Sequence, residues 1–389
     1  MRISQTLIIV FYIVISYSKN NNGVVIYNKS KCQSGYNLLN GCMVLSMNGE
    51  IINEYPGVLC TYFKNGNIVS SINGNTLKYY DQNLTLIWEK KINSNLEAIH
   101  HEIIKSSDTS FFFLSSKINV RKSFKNRILS SYINPNFKIN ADSIRYDIIY
   151  EIDINGNILF KWNTLEYFDE IYNLISQNRD SSYLKNYTWF FPEFTHFNSL
   201  QSLPKNALEK SHPEFKEGNI LFSDIAYKFI GIIDKDTKKI VWSYFQDSSG
   251  MGQHSARMLN NNNILFFINQ VSDNYKYSRV AEINPLTKKT VWEYIASPPE
   301  SFFSQFDGNA QRLPNGNTLI TVNNFEIEGI NKIDSIYPNH YAFEVTNKKE
   351  IVWKWIPKDF DRFNKTTEGF YRIERIPVYE LYNFTIKNK

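Results

Sequence analysis

Short apolar, β-prone runs separated by polar turns recur along the chain, and the clearest set lies in residues 252–294. There the runs 256–259 and 264–268 flank the polar turn 260–263, and the runs 280–283 and 290–294 flank the turn 284–289. Each pair reads as strand, turn, strand. Four strands joined by three turns make a small antiparallel sheet, which cannot bury both of its faces alone.

The same plan repeats. Residues 309–320 restate the first half of the unit, and 341–345 with 351–355 restate the second. Earlier copies run from 196–200 through 218–222 to 240–242, from 101–104 through 111–114 and 150–153 to 158–162, and from 57–60 through 65–69 to 87–88. All five units end in a strand that carries tryptophan: Trp88, Trp162, Trp242, Trp292 and Trp353. Periods of this length match four-stranded propeller blades with long loops. Residues 44–55 form a hairpin around Asn48-Gly49 with no first half, and 370–376 have strand character with no hairpin. Pairing the two ends in one shared blade closes the ring and removes its exposed edges. The predicted fold is therefore all-β: a six-bladed β-propeller of four-stranded antiparallel blades, closed by N- and C-terminal strands and occupying residues 44–380.

Composition agrees with this picture. Aromatic residues make up 15% of the 389 positions, and heptad-like stripes are missing. A propeller absorbs that length as one toroidal domain. The net charge of +5 is spread along the chain, which gives no nucleic-acid signal. Residues 1–18, with Arg2, an apolar stretch at 7–15 and small Ser16 and Ser18, read as a signal peptide, or as an anchor if uncleaved. The expected location is accordingly secreted or periplasmic. Residues 19–43 are set apart as an N-terminal segment and 381–389 as a tail. Cys32, Cys42 and Cys60 allow three pairings that each leave one thiol over, and their spacing does not suggest zinc. No metal and no cofactor are expected. Two insertions, 117–143 and 169–189, break the period, and the second contains a helical pattern, DEIYNLISQ.

Polar residues sit at matching places in the repeats. His101, His196, His254 and Asn309 are each read at the start of a first strand, which in a propeller lines the central channel. In that register they converge at one mouth, and Arg279 reaches it from the side. The structural alternative is a set of hydrogen-bonding residues that seal the ring. His100 and His212 read as loop or rim residues, and Trp189, Phe190 and Phe191 as either a phenol-binding wall or rim packing.

Taken in order, His196-Phe197-Asn198-Ser199, Gln253-His254-Ser255-Ala256-Arg257, Ser278-Arg279 and Leu313-Pro314-Asn315-Gly316-Asn317-Thr318-Leu319-Ile320 resemble the secreted arylsulfotransferase family across residues 44–375. The resemblance implies a six-bladed propeller that moves a sulfuryl group from a phenolic ester to another phenol without a nucleotide donor. The absence of a Gly-rich phosphate loop is consistent. It further implies that Arg279, His196 and Asn198 hold the sulfuryl oxygens, that His254 is a second donor or an acid, that His101 and Asn309 line the substrate site, and that a histidine is transiently sulfated. The expected partners are an aryl sulfate donor and a phenolic acceptor, with a homodimer left open. One departure stands out. The family's covalent histidine lies in the blade after the Ser-Arg strand, where 255–339 contain no histidine, and His340 is read as a different position. The nucleophile is then His254 or His101, or transfer is direct, or activity is lost and the propeller binds a ligand or protein at its mouth.

Overall fold

The computed structural model describes residues 22–40, 42–92, 97–120, 143–180, 193–247, 250–270, 275–324, 338–358 and 372–377. The stretches 1–18, 189–191 and 381–389 discussed above lie outside them. Six antiparallel sheets form a propeller ring. Numbering blades in chain order, blade 2 comprises Cys60–Tyr62, Ile68–Ile72, Thr76–Tyr80 and Leu86–Lys91. Blade 3 comprises Glu97–Lys105, Ser110–Val120, Ser143–Asp153 and Ile158–Asn163; blade 4, Phe197–Ser202, Ile220–Asp224, Phe229–Ile233 and Ile240–Phe245. Blade 5 comprises Gln253–Met258, Ile264–Ile268, Arg279–Ile283 and Thr290–Tyr294; blade 6, Asn309–Arg312, Thr318–Asn323, His340–Val345 and Ile351–Trp355.

Blade 1 joins the two ends of the chain. Its innermost strand is Ile373–Pro377, followed by Gly35–Leu39, Met43–Leu45 and Ile51–Glu54. Val24–Tyr27 adds a fifth strand outside blade 6, paired with Ile351–Trp355. Two strands thus fall within 19–43, the segment the sequence pattern sets apart. Their signal is weak because each pairs with chain more than 300 residues away, Val24–Tyr27 with no hairpin partner nearby and Gly35–Leu39 with only the three-residue strand Met43–Leu45 beside it.

Strand character follows environment. Middle strands such as Ile220–Asp224, Phe229–Ile233 and Ile264–Ile268 are buried at every position, because a neighbouring blade covers each face. Outer strands such as Leu86–Lys91 are largely exposed. The turns use Asn chemistry: Asn65 Oδ1 accepts from Asn67 N and Asn315 Oδ1 from Asn317 N, and Gly66 and Gly316 between them take the left-handed conformation. The 117–143 insertion begins later than its pattern suggests, since Ser110–Val120 and Ser143–Asp153 continue as one paired ribbon. The expected helix is present at Phe168–Asn178, with Ile171 and Ile175 buried. Among the described residues no helix is long and apolar enough to cross a membrane.

Five of the six outer-strand tryptophans have one job. Each indole N–H donates to a backbone carbonyl in the turn before the last strand of the next blade: Trp88 to Ile154, Trp162 to Lys238, Trp242 to Pro285, Trp292 to Asn347 and Trp353 to Met47. The last of these crosses the ring closure from blade 6 to blade 1. Beside it lies Arg375 of the C-terminal strand, 1% exposed, with its guanidinium over the Trp353 ring and 3.0 Å from Glu344 Oε2. Asn37 Oδ1 accepts from its Nε and Gln33 O from its Nη1. A buried guanidinium is tolerated only with such a complement. Glu344→Gln keeps the shape and removes the charge, so it is expected to destabilise the fold by about 3–5 kcal/mol, read as a lowered urea midpoint with unchanged slope.

Candidate active site

Five of the six histidines gather at one end of the ring, where first and third strands begin and second strands end. His101 lies on an irregularity in the first strand of blade 3, with positive φ, and His196 immediately precedes the first strand of blade 4. The His101 and His196 rings are 4.9 Å apart between centroids, and those of His101 and His254 are 6.2 Å apart. His196 Nε2 is 3.4 Å from His101 Nε2, and His101 Nδ1 is 2.7 Å from His100 Nδ1. Asp307, from the loop entering blade 6, closes the group, with a carboxylate oxygen within 4.8 Å of ligand atoms of both His101 and His254.

The surroundings set each ring's charge. His196 is buried, which opposes a proton, but Glu193 accepts from Nδ1 at 2.6 Å, and with Asp147 and Asp224 it raises the pKa to about 9. His254 is pushed down to about 3 by burial, against the pull of its hydrogen bond to Asn269 and with the help of charged His196. His101 is held well below the usual range by burial and by His100, His196 and His254. One imidazolium, His196, therefore sits beside the neutral imidazoles of His101 and His254 at pH 7. A neutral His101 accepts from His196 Nε2–H and keeps its own proton on Nδ1, facing His100, whose Nε2 lies 3.1 Å from Asp147 Oδ1. Burial and nearby Asp147 raise Asp224 to about 7, although the backbone N–H groups of His196 and Tyr227 bind its carboxylate.

Two asparagines fix the opposite side. Asn269 spends its amide N–H groups on Ser304 O and Asp307 O, so its Oδ1 must accept, and His254 Nδ1 donates to it at 2.6 Å. The lone pair of His254 is thereby confined to Nε2. Asn323, at the same place in blade 6, donates to Asp307 Oδ2 and accepts from His340 Nδ1 at 2.7 Å. Ser278 holds the same loop by donating to Ser304 O. One layer further along the innermost strands, Glu102 joins Arg257 and Arg372, and Arg372 also pairs with Glu374. A cavity of about 20 Å³ beside His101, Arg372 and Glu374 has room for about a water molecule and none for an aromatic ring.

An arylsulfotransferase (ASST) family model matches residues 60–336, most of the ring. The chain belongs to the arylsulfotransferase family. Its enzymes are aryl sulfotransferases, and the cluster at the mouth is this member's candidate centre. No curated protein matches. A protein of unknown function from Bacteroides caccae is similar in structure at 15% identity, covering 87% of this chain and 98% of that one with a TM-score of 0.53, which supports the fold. The β-propeller domain of Myceliophteria thermophila Cps50 (Swd1) is similar at 10% identity over 86% of this chain and 90% of that one, with a TM-score of 0.43.

The arylsulfotransferase motifs fall into place unevenly. His101, His196 and His254 do meet, but not by the equivalence their sequence spacing suggests. A repeated inter-blade bond sets the true register: Glu102, Ser199 and Ser255 side chains accept from Leu200, Ala256 and Ala310 N–H groups. In that register His101, Asn198 and His254 correspond, His196 lies two residues earlier and Asn309 one residue later. Asn309 is a ring fastener, accepting from Ser255 Oγ and donating to Ile373 O. Asn198 donates to Gln253 O. Arg279 turns outward: its ionic partner is Glu293 on the outermost strand, 3.3 Å away, and its side chain is 29% exposed. His212 is at the rim, as read, while His100 is inside the cluster because it lies within a strand rather than a loop. His340, set aside on sequence, is tied to Asp307 through Asn323. Asp307, Asn269 and Asn323 escape a histidine search, yet Ile-Asn269 and Val-Asn323 at the ends of second strands are a repeated signal. Histidine-resolved NMR titration is expected to show His196 losing its proton near pH 9 and His254 neutral, with Nδ1–H, down to about pH 3. Asn269→Leu should release that tautomer.

Proposed function

We propose that the protein transfers a sulfuryl group from a phenolic sulfate ester to a phenolic acceptor without a nucleotide, through a sulfated His254. The observation that carries the reading is the confined lone pair on a neutral, buried His254 beside a charged His196. A nucleophile needs an available pair and a leaving phenolate needs a proton, and the two rings differ in just these respects.

In the first half-reaction His254 Nε2 bonds to sulfur, the bond from sulfur to the aryl oxygen breaks, and the phenolate takes a proton from His196. The match is close, because His196 near 9 faces a phenol whose ordinary value is near 10. The positive charge of His196 also faces the equatorial sulfuryl oxygens, where negative charge resides in the planar transition state. In the second half the acceptor phenol attacks sulfur, its proton passes to the now neutral His196, and the sulfur–nitrogen bond breaks. Glu193 holds His196 through Nδ1 throughout, and the Nε2 proton, which faces His101 at 3.4 Å in the resting protein, is the one that passes to the phenolate.

Transfer from p-nitrophenyl sulfate to phenol, followed as nitrophenolate release, tests this. His254→Ala is expected to fall to background, and His196→Gln to lose about 10²–10⁴-fold. Arg279→Ala should stay within about fivefold of the parent, as removal of a partly exposed ion pair does. Acid-labile sulfate on a histidine should accumulate when the acceptor is withheld. Absence of phenol-dependent release from folded protein would sink the reading and leave a binding site at the mouth.

A further inference from the structure

Asp307 is the residue the sulfuryl reading leaves over. It is 5% exposed, and its carboxylate lies within 4.8 Å of ligand atoms of His101 and His254. A carboxylate beside a sulfuryl anion repels it, more strongly in a buried setting than in water. Two imidazoles and a carboxylate brought together from blades 3, 5 and 6 are instead the donor set of a borderline divalent cation.

We propose that His101, His254 and Asp307 form a binding site for one divalent transition-metal ion of the zinc class, and that its occupation blocks sulfuryl transfer. Each ligand already has the backing that metal ligands carry. His254 donates from Nδ1 to Asn269 Oδ1, Asp307 Oδ2 accepts from Asn323 at 2.9 Å, and His101 Nδ1 is backed by His100. Donor atoms of a tetrahedral zinc site with ligand bonds of about 2.0–2.2 Å lie roughly 3.3–3.6 Å apart. Closing from 4.8 Å to that spacing takes small side-chain rotations. A metal on His101 Nε2 displaces the hydrogen bond from His196 Nε2–H, 3.4 Å away, and leaves His196 beside the fourth corner. The Nε2 pair of His254 cannot hold sulfur and a metal at once, so the two occupants exclude each other. The site rests on geometry alone; its effect on transfer rests on the function proposed above.

Protein stripped with a chelator and titrated with cobalt(II) is the test, followed through the visible ligand-field bands of a tetrahedral ion and by metal analysis after zinc loading. One equivalent is expected. Asp307→Asn and His101→Gln should each weaken binding at least tenfold, while His212→Gln, at a half-buried rim histidine paired with Glu214, should not. Thermal unfolding checks that the variants are folded, and the parent titration does not depend on them. No tight equivalent in the parent, or undiminished affinity in both folded variants, overturns the site. Saturating zinc should suppress nitrophenolate release and a chelator restore it; a metal-loaded protein with full transfer activity overturns the exclusion. A protein that binds cobalt as described but never transfers sulfate upholds the site and rejects only the enzymatic reading.

Discussion

A ring of separate sheets needs something that fixes the angle between one blade and the next, and here it is the tryptophan at the end of each unit. The indole buries a large apolar surface against the neighbouring blade, and its single N–H is spent on a turn carbonyl there. Apolar packing alone is non-directional and would allow the blades to slide. A directional hydrogen bond does not, and where the donor is buried, as at Trp353, leaving it unmade is costly. Blade 1 ends in Ile51–Glu54, which has no tryptophan, so its contribution to closure comes from the other end of the chain. Arg375, held between Glu344, Asn37 and the Trp353 face, reinforces the junction of blades 6 and 1.

Once the blade angles are fixed, innermost strands from distant parts of the sequence present their ends to a common space. Histidine by itself is ambiguous near neutral pH, and the carboxylates behind each ring resolve it. Glu193 makes His196 the charged member, and burial beside that charge leaves His254 neutral. The asparagines do the finer work: Asn269 and Asn323 both converge on Asp307 and both accept from a histidine Nδ1. A four-residue loop, 304–307, is therefore held by three elements, and Ser278 of the Ser-Arg motif is one of them.

The ring was legible in the chain because its signals are local and repeated. Alternating turns, Asn-Gly corners and five tryptophan strands each report on one blade without reference to the others, and they add up to six sheets and a shared closure. The convergence of His101, His196 and His254 was legible for the same reason. The strand Val24–Tyr27 was not, since its partner is at the far end of the sequence, and Gly35–Leu39 has one of its two partners there.

What the sequence by itself determined is which residue types arrive at the mouth, because repeat symmetry carries every first strand to the channel. What only the tertiary structure decided is the register and the state of each one. Irregularities in the first strands of blades 3, 4 and 5 shift the histidines by one or two positions, enough to turn Asn309 into a fastener, and a pairing with Glu293 takes Arg279 out of the centre. Such shifts depend on inter-blade hydrogen bonds that no single repeat encodes. The charge on His196 depends on Glu193, Asp147 and Asp224, whose spacing along the chain says nothing of their meeting. Side-chain electrostatics is set by distance in space, and distance is the one quantity that a repeat pattern leaves open.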